Sequence, residues 1–340
     1  MPGSTARLNV WWRAFRFHFV PPSFLPALLG GAIAWSSTGT FHAWYFVLTV
    51  IGVTINHIAL NMTDDYYDYL SSVDSGSSRG VNPYCGGSGT ISEGLIRPAE
   101  MRLAFVIGYC ITIVIGLYLA GAVSWFVLAF GVFGMGCAYF YTAPPIRYAY
   151  HGIGEISQLI NFSFTIGMGA FFVQTRTLSW EAFWAILPLG FMMFSMIIIN
   201  EIPDRADDEK FGKHNLVVIL GVKQAIRLYA GGMLAAYAVI AVTPMLGITS
   251  PWIYCALATL PLFFKAFGIL RGNYRDALAM APANLLTIRI HSLTGILLIM
   301  AHIIAGGTAG RPLSEMSTPV ILLLLLYAPL AVPIFLKRQA

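Results

Sequence analysis

The sequence predicts an all-α membrane protein, built as a polytopic bundle of nine or ten transmembrane helices. Three observations support this fold class: 57% of the 340 residues are hydrophobic, only 10% are charged, and apolar runs of membrane-spanning length recur from end to end. A mean hydropathy of +0.72 agrees with them. Soluble domains carry far more charge, so the composition excludes a soluble globular enzyme.

The apolar runs that can cross the hydrocarbon core follow one another with short polar connections. In chain order they cover residues 15–36, 43–66, 101–121, 124–142, 153–174, 182–202, 224–245, 251–270, 286–308 and 317–336. We expect residues 1–310 to form the transmembrane domain, with acidic motifs at residues 61–68 and 200–208. Residues 311–340 are expected to add a C-terminal hydrophobic segment.

Basic residues are distributed very unevenly between the two sides of this topology. With ten spans and a cytoplasmic N-terminus, 18 of the 20 Lys and Arg residues are cytoplasmic, and only Arg176 and Arg311 lie outside. Cytoplasmic loops are enriched in Lys and Arg, so we expect an inner or plasma membrane protein whose N-terminus and acidic loops are cytoplasmic. The net charge of +5 follows from this asymmetry, and we expect no nucleic-acid partner.

The end of the second predicted helix carries polar side chains on one face. At about 100° per residue, that face gathers Asn61, Asp64, Asp65 and Asp68. An ionised carboxylate at the edge of the hydrocarbon layer is costly, so its presence there indicates a function. Amide and carboxylate oxygens are hard ligands, and they favour magnesium.

A similar acidic pattern returns at the end of the sixth predicted helix. Asn200 and Asp204 repeat the spacing of the first motif, and Asp208 follows them. The repetition predicts two related halves, each with one acidic helix end. Alternating spans place both ends on the same, cytoplasmic face.

Cationic side chains lie near both acidic motifs. A loop rich in Gly and Ser, residues 71–98, carries Arg79, and Lys210 and Lys213 follow the second motif. Backbone N–H groups of the loop and these cations suit a metal-bound polyphosphate. A flexible lid and simple charge balance are the alternatives.

Aromatic and basic residues elsewhere leave two interpretations open. Tyr139 or Tyr141 either turns a ring toward a developing cation or belongs to an interfacial aromatic belt. Arg16 begins the first span beside Trp11 and Trp12. It either extends to the membrane interface or holds an anionic substrate in a cavity.

Together the two acidic motifs predict a chemistry. Two magnesium sites can bridge a diphosphate and neutralise its charge, so that an allylic carbon–oxygen bond ionises. Residues 64–68 read Asp-Asp-Tyr-Tyr-Asp, similar to the aspartate-rich motif of soluble prenyl synthases. Because a membrane accommodates a long polyprenyl tail, the arrangement indicates prenyl transfer.

These residues resemble the two signatures of the UbiA superfamily of intramembrane aromatic prenyltransferases. The first signature is matched by Asn61, Asp65 and Asp68, and the second by Asn200, Asp204 and Asp208. From about residue 8 to 308 the chain is most similar to the 1,4-dihydroxy-2-naphthoate polyprenyltransferases of menaquinone biosynthesis.

The resemblance implies a helical bundle around a central cavity, which joins a polyprenyl diphosphate to a small aromatic acceptor with Mg²⁺ as cofactor. It implies that magnesium is held by Asn61, Asp64, Asp65, Asp68, Asn200, Asp204 and Asp208. Diphosphate would be bound by Arg79, Lys210 and Lys213, and the acceptor's carboxylate by Arg16. Tyr139 or Tyr141 would stabilise the allylic cation, so the catalytic set is Asp65, Asp68, Asp204, Asp208, Tyr139 and Tyr141.

Several alternatives stay open. Asp64 stands where the family usually has Asn, and Asn215 where Thr is frequent, and both departures concern the acceptor. Other acceptors are 4-hydroxybenzoate, homogentisate, a chlorophyllide or geranylgeranylglyceryl phosphate. A secondary transporter is the alternative of another class, disfavoured because these carboxylates lie at one membrane face and not at the midplane. We infer no obligatory protein partner, and donor chain length and oligomeric state stay open.

Overall fold

The computed structural model describes residues 4–72, 81–315 and 320, and within them it contains helices and no strands. The helices are α1 (Ser4–Phe15), α2 (Pro21–Thr38), α3 (Ala43–Leu70), α4 (Pro98–Ala122), α5 (Val127–Tyr139), α6 (Gly154–Thr175), α7 (Trp180–Glu201), α8 (Arg205–Lys210), α9 (Leu216–Leu220), α10 (Val222–Met245), α11 (Pro251–Asn273) and α12 (Ala277–Thr308). The α6 helix contains a π-helical segment, Asn161–Met168.

Nine of these helices, counted within the described ranges, form the bundle: α2 to α7 and α10 to α12. Seven of them are long and apolar enough to cross a membrane on their own. The predicted all-α membrane bundle is therefore confirmed. The predicted tenth span, 317–336, lies outside the described residues except for Val320.

Two helix boundaries differ from the predicted spans. The first apolar run is interrupted at Arg16, whose left-handed backbone (φ 51°) separates α1 from α2. The last described helix begins at Ala277, well before residue 286. It begins there because the carboxylate of Asp276 accepts hydrogen bonds from the N–H groups of Leu278 and Ala279, which are otherwise orphaned at a helix start.

The centre of the bundle is α2, whose residues from Pro21 to Trp35 are all buried. A helix without a polar face is stable only when other helices surround it, and α2 packs against α3, α6, α7 and α12. Gly30 permits the close crossing of α2 and α6, since a Cβ there would collide with the carbonyl oxygen of Gly167. The remaining long pairs are α3 with α4, α7 with α10, and α11 with α12.

The two ends of the bundle differ in chemistry. At one end, Arg176 donates to the carbonyl oxygen of Ala122, and Arg311 approaches Gly39. At the other end, α3 and α7 finish in their acidic motifs. Residues 81–97, which we call the cap segment, fold over that acidic end, and Gly86 donates its N–H to Asp204.

Candidate active site

A cavity of about 170 Å³ lies at the acidic end of the bundle. Its polar wall comes from both motifs and the connections around them, and consists of Arg16, Asn61, Asp64, Asp68, Asn200, Glu201, Asp204, Asp207, Asp208 and Lys213. Its inner wall is apolar and includes Leu60, Phe162, Met193, Met196 and Ile197. One cavity therefore presents charge toward the water and hydrocarbon toward the bundle core.

The last three turns of α3 supply the first motif, as the helical periodicity predicted. Asn61, Asp64 and Asp68 line the cavity. Asp65 is only 2% exposed, and its Oδ1 accepts the N–H of Ser88 at 2.9 Å. The cap segment therefore contacts this carboxylate directly.

The second motif spans a break between helices. Pro203 has no N–H, and the chain turns between the end of α7 at Glu201 and the start of α8 at Arg205. The turn lets Asp204 face the cap segment, where its Oδ2 accepts the N–H of Gly86 at 2.8 Å. Asp208, one turn further, accepts from Nδ2 of Asn215 at 2.7 Å.

Charge repulsion accumulates around Asp208. The pKa of its carboxyl is raised to about 7, mainly by burial and also by the carboxylates of Asp204 and Asp68, while Lys213 acts in the opposite direction. An uncompensated acidic cluster of this kind favours the binding of a cation.

Lys213 is the cation that the structure brings into this cluster. Its Nζ lies 3.1 Å from Oδ2 of Asp68, whose Oδ1 accepts from the hydroxyl of Tyr150 at 2.8 Å. Burial alone lowers the pKa of Lys213, but the carboxylates of Asp68, Asp208 and Asp64 raise it well above its ordinary value. Lys213 is therefore a permanent positive charge in the cavity wall.

Arg16 reaches the same cavity from the break between α1 and α2. Its Nη1 lies 3.5 Å from Asp64 Oδ2 and 4.0 Å from Asp65 Oδ1, and its Nη2 donates to the carbonyl oxygen of Gly86 at 2.8 Å. The interfacial interpretation of Arg16 is therefore wrong in this structure, because the guanidinium lies among the carboxylates and under the cap segment.

The cap segment is fastened to α1 as well as to the acidic motifs. Arg13 donates from Nε to the carbonyl oxygen of Ser88 at 2.7 Å and forms a two-point ion pair with Glu93. The backbone N–H groups of this loop were predicted to approach phosphate. In the structure, those of Gly86 and Ser88 donate to the carboxylates of Asp204 and Asp65. The glycine-rich loop is thus ordered over the site between residues 81 and 97.

Among the described residues, Tyr139 and Lys210 are predicted site residues that lie away from the cavity. The hydroxyl of Tyr139 pairs with that of Tyr67 at 3.0 Å, in an aromatic cluster beside α4, so Tyr141 is the tyrosine that lines the cavity. Lys210 is exposed on α8, with its Nζ over the ring of Phe211. Arg79 lies outside the described residues.

The structure adds residues that the sequence did not single out. Asn284 of α12 donates to Oδ1 of Asn200 at 2.8 Å and accepts from Nδ2 of Asn82 at 3.1 Å, so it links the cap segment to the second motif. Tyr150 and Asn215 orient Asp68 and Asp208. A polar Asn within an apolar span was a usable signal for Asn284.

The donor set suits magnesium. Asp64 Oδ1 and Asp65 Oδ2 are buried and have no hydrogen-bond partner, so both can accept a cation. Within the described part of the chain, no three Asp, Glu, His or Cys side chains already converge as a closed metal site. Magnesium uses one or two carboxylates and completes its octahedron with water and substrate phosphate, so an open site on each motif fits it.

The fold and the site define an intramembrane enzyme with a charged cavity at one end of a helical bundle and an apolar wall behind it. The model of the UbiA prenyltransferase family matches residues 23–288. The chain belongs to the UbiA prenyltransferase family, and it is an integral membrane prenyltransferase. The transporter alternative is therefore excluded.

Relatives agree with this assignment. The chain is 26% identical over 257 residues to the 1,4-dihydroxy-2-naphthoate octaprenyltransferase of Bacillus subtilis (74% of this chain, 79% of the relative). It is 28% identical over 302 residues to the Escherichia coli enzyme of the same name (87% and 95%). The predicted resemblance to naphthoate polyprenyltransferases is confirmed.

Solved structures share the fold at low identity. A UbiA homologue from Aeropyrum pernix K1 superimposes with a TM-score of 0.60 at 15% identity, covering 84% of this chain and 98% of that one. A UbiA homologue from Archaeoglobus fulgidus bound to GPP and Mg²⁺ gives 0.53 at 13% identity, with coverage of 88% and 99%.

Proposed function

We propose that this enzyme transfers a polyprenyl group from an allylic polyprenyl diphosphate to 1,4-dihydroxy-2-naphthoate and releases diphosphate, with Mg²⁺ as cofactor. The observation that carries the proposal is the meeting of two acidic motifs and the largely enclosed Lys213 around one cavity with an apolar inner wall. The relatives named above support the acceptor, and the bound GPP and Mg²⁺ of the Archaeoglobus homologue support the donor and the cofactor.

The acidic motifs and the cationic side chains would both bind the diphosphate of the donor, the motifs through magnesium and the cations directly. Magnesium would be held by Asn61, Asp64, Asp65, Asp68, Asn200, Asp204 and Asp208, directly or through water, and when bound it neutralises the diphosphate as a leaving group. Lys213 adds a fixed positive charge from the cavity wall. The polyprenyl chain would follow the apolar wall of Phe162, Met193 and Met196.

The reacting carbon would lie between the charged and apolar walls. The allylic carbon–oxygen bond breaks with its electron pair on diphosphate, the acceptor's carboxyl-bearing ring carbon forms the new bond, and carbon dioxide leaves. Tyr141 faces this position, and burial raises the pKa of its hydroxyl well above the ordinary value, so the phenol stays neutral. Its ring can then stabilise the cation without being consumed as a nucleophile.

Arg16 suits the acceptor because its guanidinium lines the cavity beneath the cap segment. It already faces the carboxylates of Asp64 and Asp65, at 3.5 and 4.0 Å. When cations neutralise these two aspartates, the guanidinium can turn to a substrate carboxylate and bind it through two N–H groups. The acceptor would then enter beneath the cap segment.

A transfer assay tests the proposal directly. Purified enzyme, geranylgeranyl diphosphate and Mg²⁺ are incubated with 1,4-dihydroxy-2-naphthoate, 4-hydroxybenzoate, homogentisate or geranylgeranylglyceryl phosphate, and products are read by mass spectrometry. We expect a prenylated, decarboxylated naphthoquinol that disappears with a chelator and returns with Mg²⁺. If a product forms only with another acceptor, that compound replaces the naphthoate as the assigned acceptor. Turnover at negligible free metal would contradict the metal requirement.

We also propose that the acidic end faces the cytoplasm. Arg176 and Arg311 lie at the opposite end of the bundle, in keeping with the enrichment of basic residues in cytoplasmic loops. The test uses two single-cysteine variants in a cysteine-free background. Arg97→Cys is at the acidic end and Trp180→Cys at the opposite end, where the native side chains are 80% and 76% exposed. A membrane-impermeant thiol reagent outside intact cells should label only Trp180→Cys, and the reverse pattern would invert the topology.

A further inference from the structure

A second cavity lies in the membrane-spanning region, on the opposite side of α3 and α6 from the active site. It is a cleft of about 330 Å³ between α3, α4, α5 and α6, and its walls are mostly aliphatic side chains. Ile113, Leu117 and Val132 line it and are also exposed on the surface of the bundle. The cleft therefore opens sideways, toward lipid.

Three polar side chains line this cleft and have no hydrogen-bond partner. They are Asn56 of α3 and Asn161 and Thr165 of α6, and the unpaired atoms are Oδ1, Oδ1 and Oγ1. Asn161 and Thr165 are 3% and 6% exposed. Hydrocarbon offers such atoms no hydrogen-bond partner. Their burial therefore costs free energy of folding unless a ligand supplies hydrogen bonds.

Local helix geometry brings these residues into the cleft. Asn161 begins the π-helical segment of α6, a feature that is rare and often occurs at functional sites. On the partner wall, Gly134 leaves room for this side of α6, because a Cβ there would approach Thr165 at 2.9 Å. The polar atoms thus lie beside space kept open by small residues.

The cleft and the active-site cavity are lined by residues that are adjacent in the sequence. Asn56 is followed by His57 and Asn161 by Phe162, and His57 and Phe162 line the central cavity with ring centroids 5.6 Å apart. Neighbouring residues of the chain therefore line the two cavities on both α3 and α6. A molecule made in the central cavity would lie close to the cleft.

The depth of the polar atoms restricts the ligand. Asn56 lies midway along α3, about 20 Å from either end at 1.5 Å per residue. A phospholipid keeps its polar head at the interface, so its chains bring no donor to this depth. A ligand that satisfies these oxygen atoms needs hydrogen-bond donors such as hydroxyl groups, on a body that is otherwise apolar.

We propose that the cleft binds a polyprenyl naphthoquinol, the class of product that follows from the proposed function, on which this inference rests. The two hydroxyl groups of the quinol would bond to Asn56, Asn161 and Thr165. The polyprenyl chain would leave through the opening between α4 and α5. The cleft is thus a product site on the route from the active site to the lipid.

The test uses a geranylgeranyl 1,4-naphthoquinol with a diazirine on its chain, kept reduced under anaerobic conditions, and the full enzyme in lipid nanodiscs. After illumination, mass spectrometry of peptides should find the label on α4 and α5 around the cleft. Excess unlabelled quinol should displace it, whereas added phosphatidylglycerol should not. Equal displacement by the phospholipid, or label in the central cavity alone, would overturn the proposal.

Matched glycine variants locate the site. A Cβ at Gly131 or Gly116 would meet no neighbouring atom within 4 Å, and both residues line the cleft, so Gly131→Leu and Gly116→Leu should reduce its volume. Gly136 and Gly121, on the same two helices, are equally open but lie outside the cleft, and their leucine variants are the controls. We expect cleft labelling to fall about tenfold or more in the first pair only; equal labelling in all four would overturn the proposal.

A polar variant tests the recognition of the hydroxyl groups. Asn161→Leu should weaken displacement by unlabelled quinol about tenfold, the loss that one buried hydrogen bond confers. Unchanged displacement would contradict the assigned head group. The transfer assay on the same preparation separates the two hypotheses: product without cleft labelling refutes only the product site, and labelling without any product refutes the proposed reaction.

Discussion

Replacing Asp204 with alanine is expected to lower the turnover number by a factor on the order of 10³ while the bundle stays folded. Asp204 lines the cavity, and it is the member of the second motif that the cap segment contacts through Gly86. Its removal deletes a proposed metal ligand and leaves the N–H of Gly86 unpaired, which costs about 1–3 kcal/mol of stability. Asp65→Ala should behave in the same way on the first motif.

The measurement is the steady-state rate with geranylgeranyl diphosphate at saturating Mg²⁺, with thermal unfolding in detergent as a check on the fold. Glu209→Ala is the matched control, because this carboxylate lies on the same short helix but is exposed and pairs with Arg205. We expect the control to retain near-normal activity. Full activity in Asp204→Ala would refute the second metal site.

Lys213→Met is expected to reduce kcat/KM for the polyprenyl diphosphate about 100-fold. The Lys213 side chain is only 13% exposed, lines the cavity and lies 3.1 Å from Asp68, so its charge acts where little water screens it. Methionine keeps most of the side chain's length and removes the charge. The donor would then meet an acidic wall without this fixed counter-charge.

Lys210→Met provides the matched control for this prediction. Both lysines follow the second motif, but Lys210 is exposed on α8 and contacts Phe211. We expect its loss to change kcat/KM by less than about threefold, since exposed charges are screened by water and salt. Equal effects of the two variants would contradict the assignment of Lys213, and partial recovery in Lys213→Arg would support its electrostatic role.

Much of the fold was predictable because hydrophobic length and helical periodicity are local properties. Nine of the predicted spans have counterparts among the described helices, and the face of α3 that carries Asn61, Asp64 and Asp68 does line a cavity. The start of α12 was predictable as well, since Asp276 is a good N-cap residue. The predicted helix start at residue 286 was too late because it rested on the apolar run alone.

The parts of the site that were not predictable depend on contacts between distant segments. Nothing local distinguishes Lys213 from Lys210; the short turn after α8 directs one side chain inward and leaves the other outside. Tyr139 and Tyr141 are separated by the end of α5, where a change of backbone direction assigns them to different clusters. Asn284 joins the site only because α12 returns beside α7.

The contacts of the cap segment with the acidic motifs have a consequence for how this protein tolerates mutation. Ser88 reaches Asp65, and Gly86 reaches Asp204, through backbone N–H groups that every residue except proline carries. The backbone contact at position 88 therefore survives any substitution except proline, but the buried Ser88 hydroxyl also pairs with Thr90, which favours a small polar residue there. At position 86 the positive φ of 69° narrows the choice to glycine and a few residues such as asparagine. A library of variants in this segment can therefore alter the surface above the cavity and keep its attachment to Asp65 and Asp204.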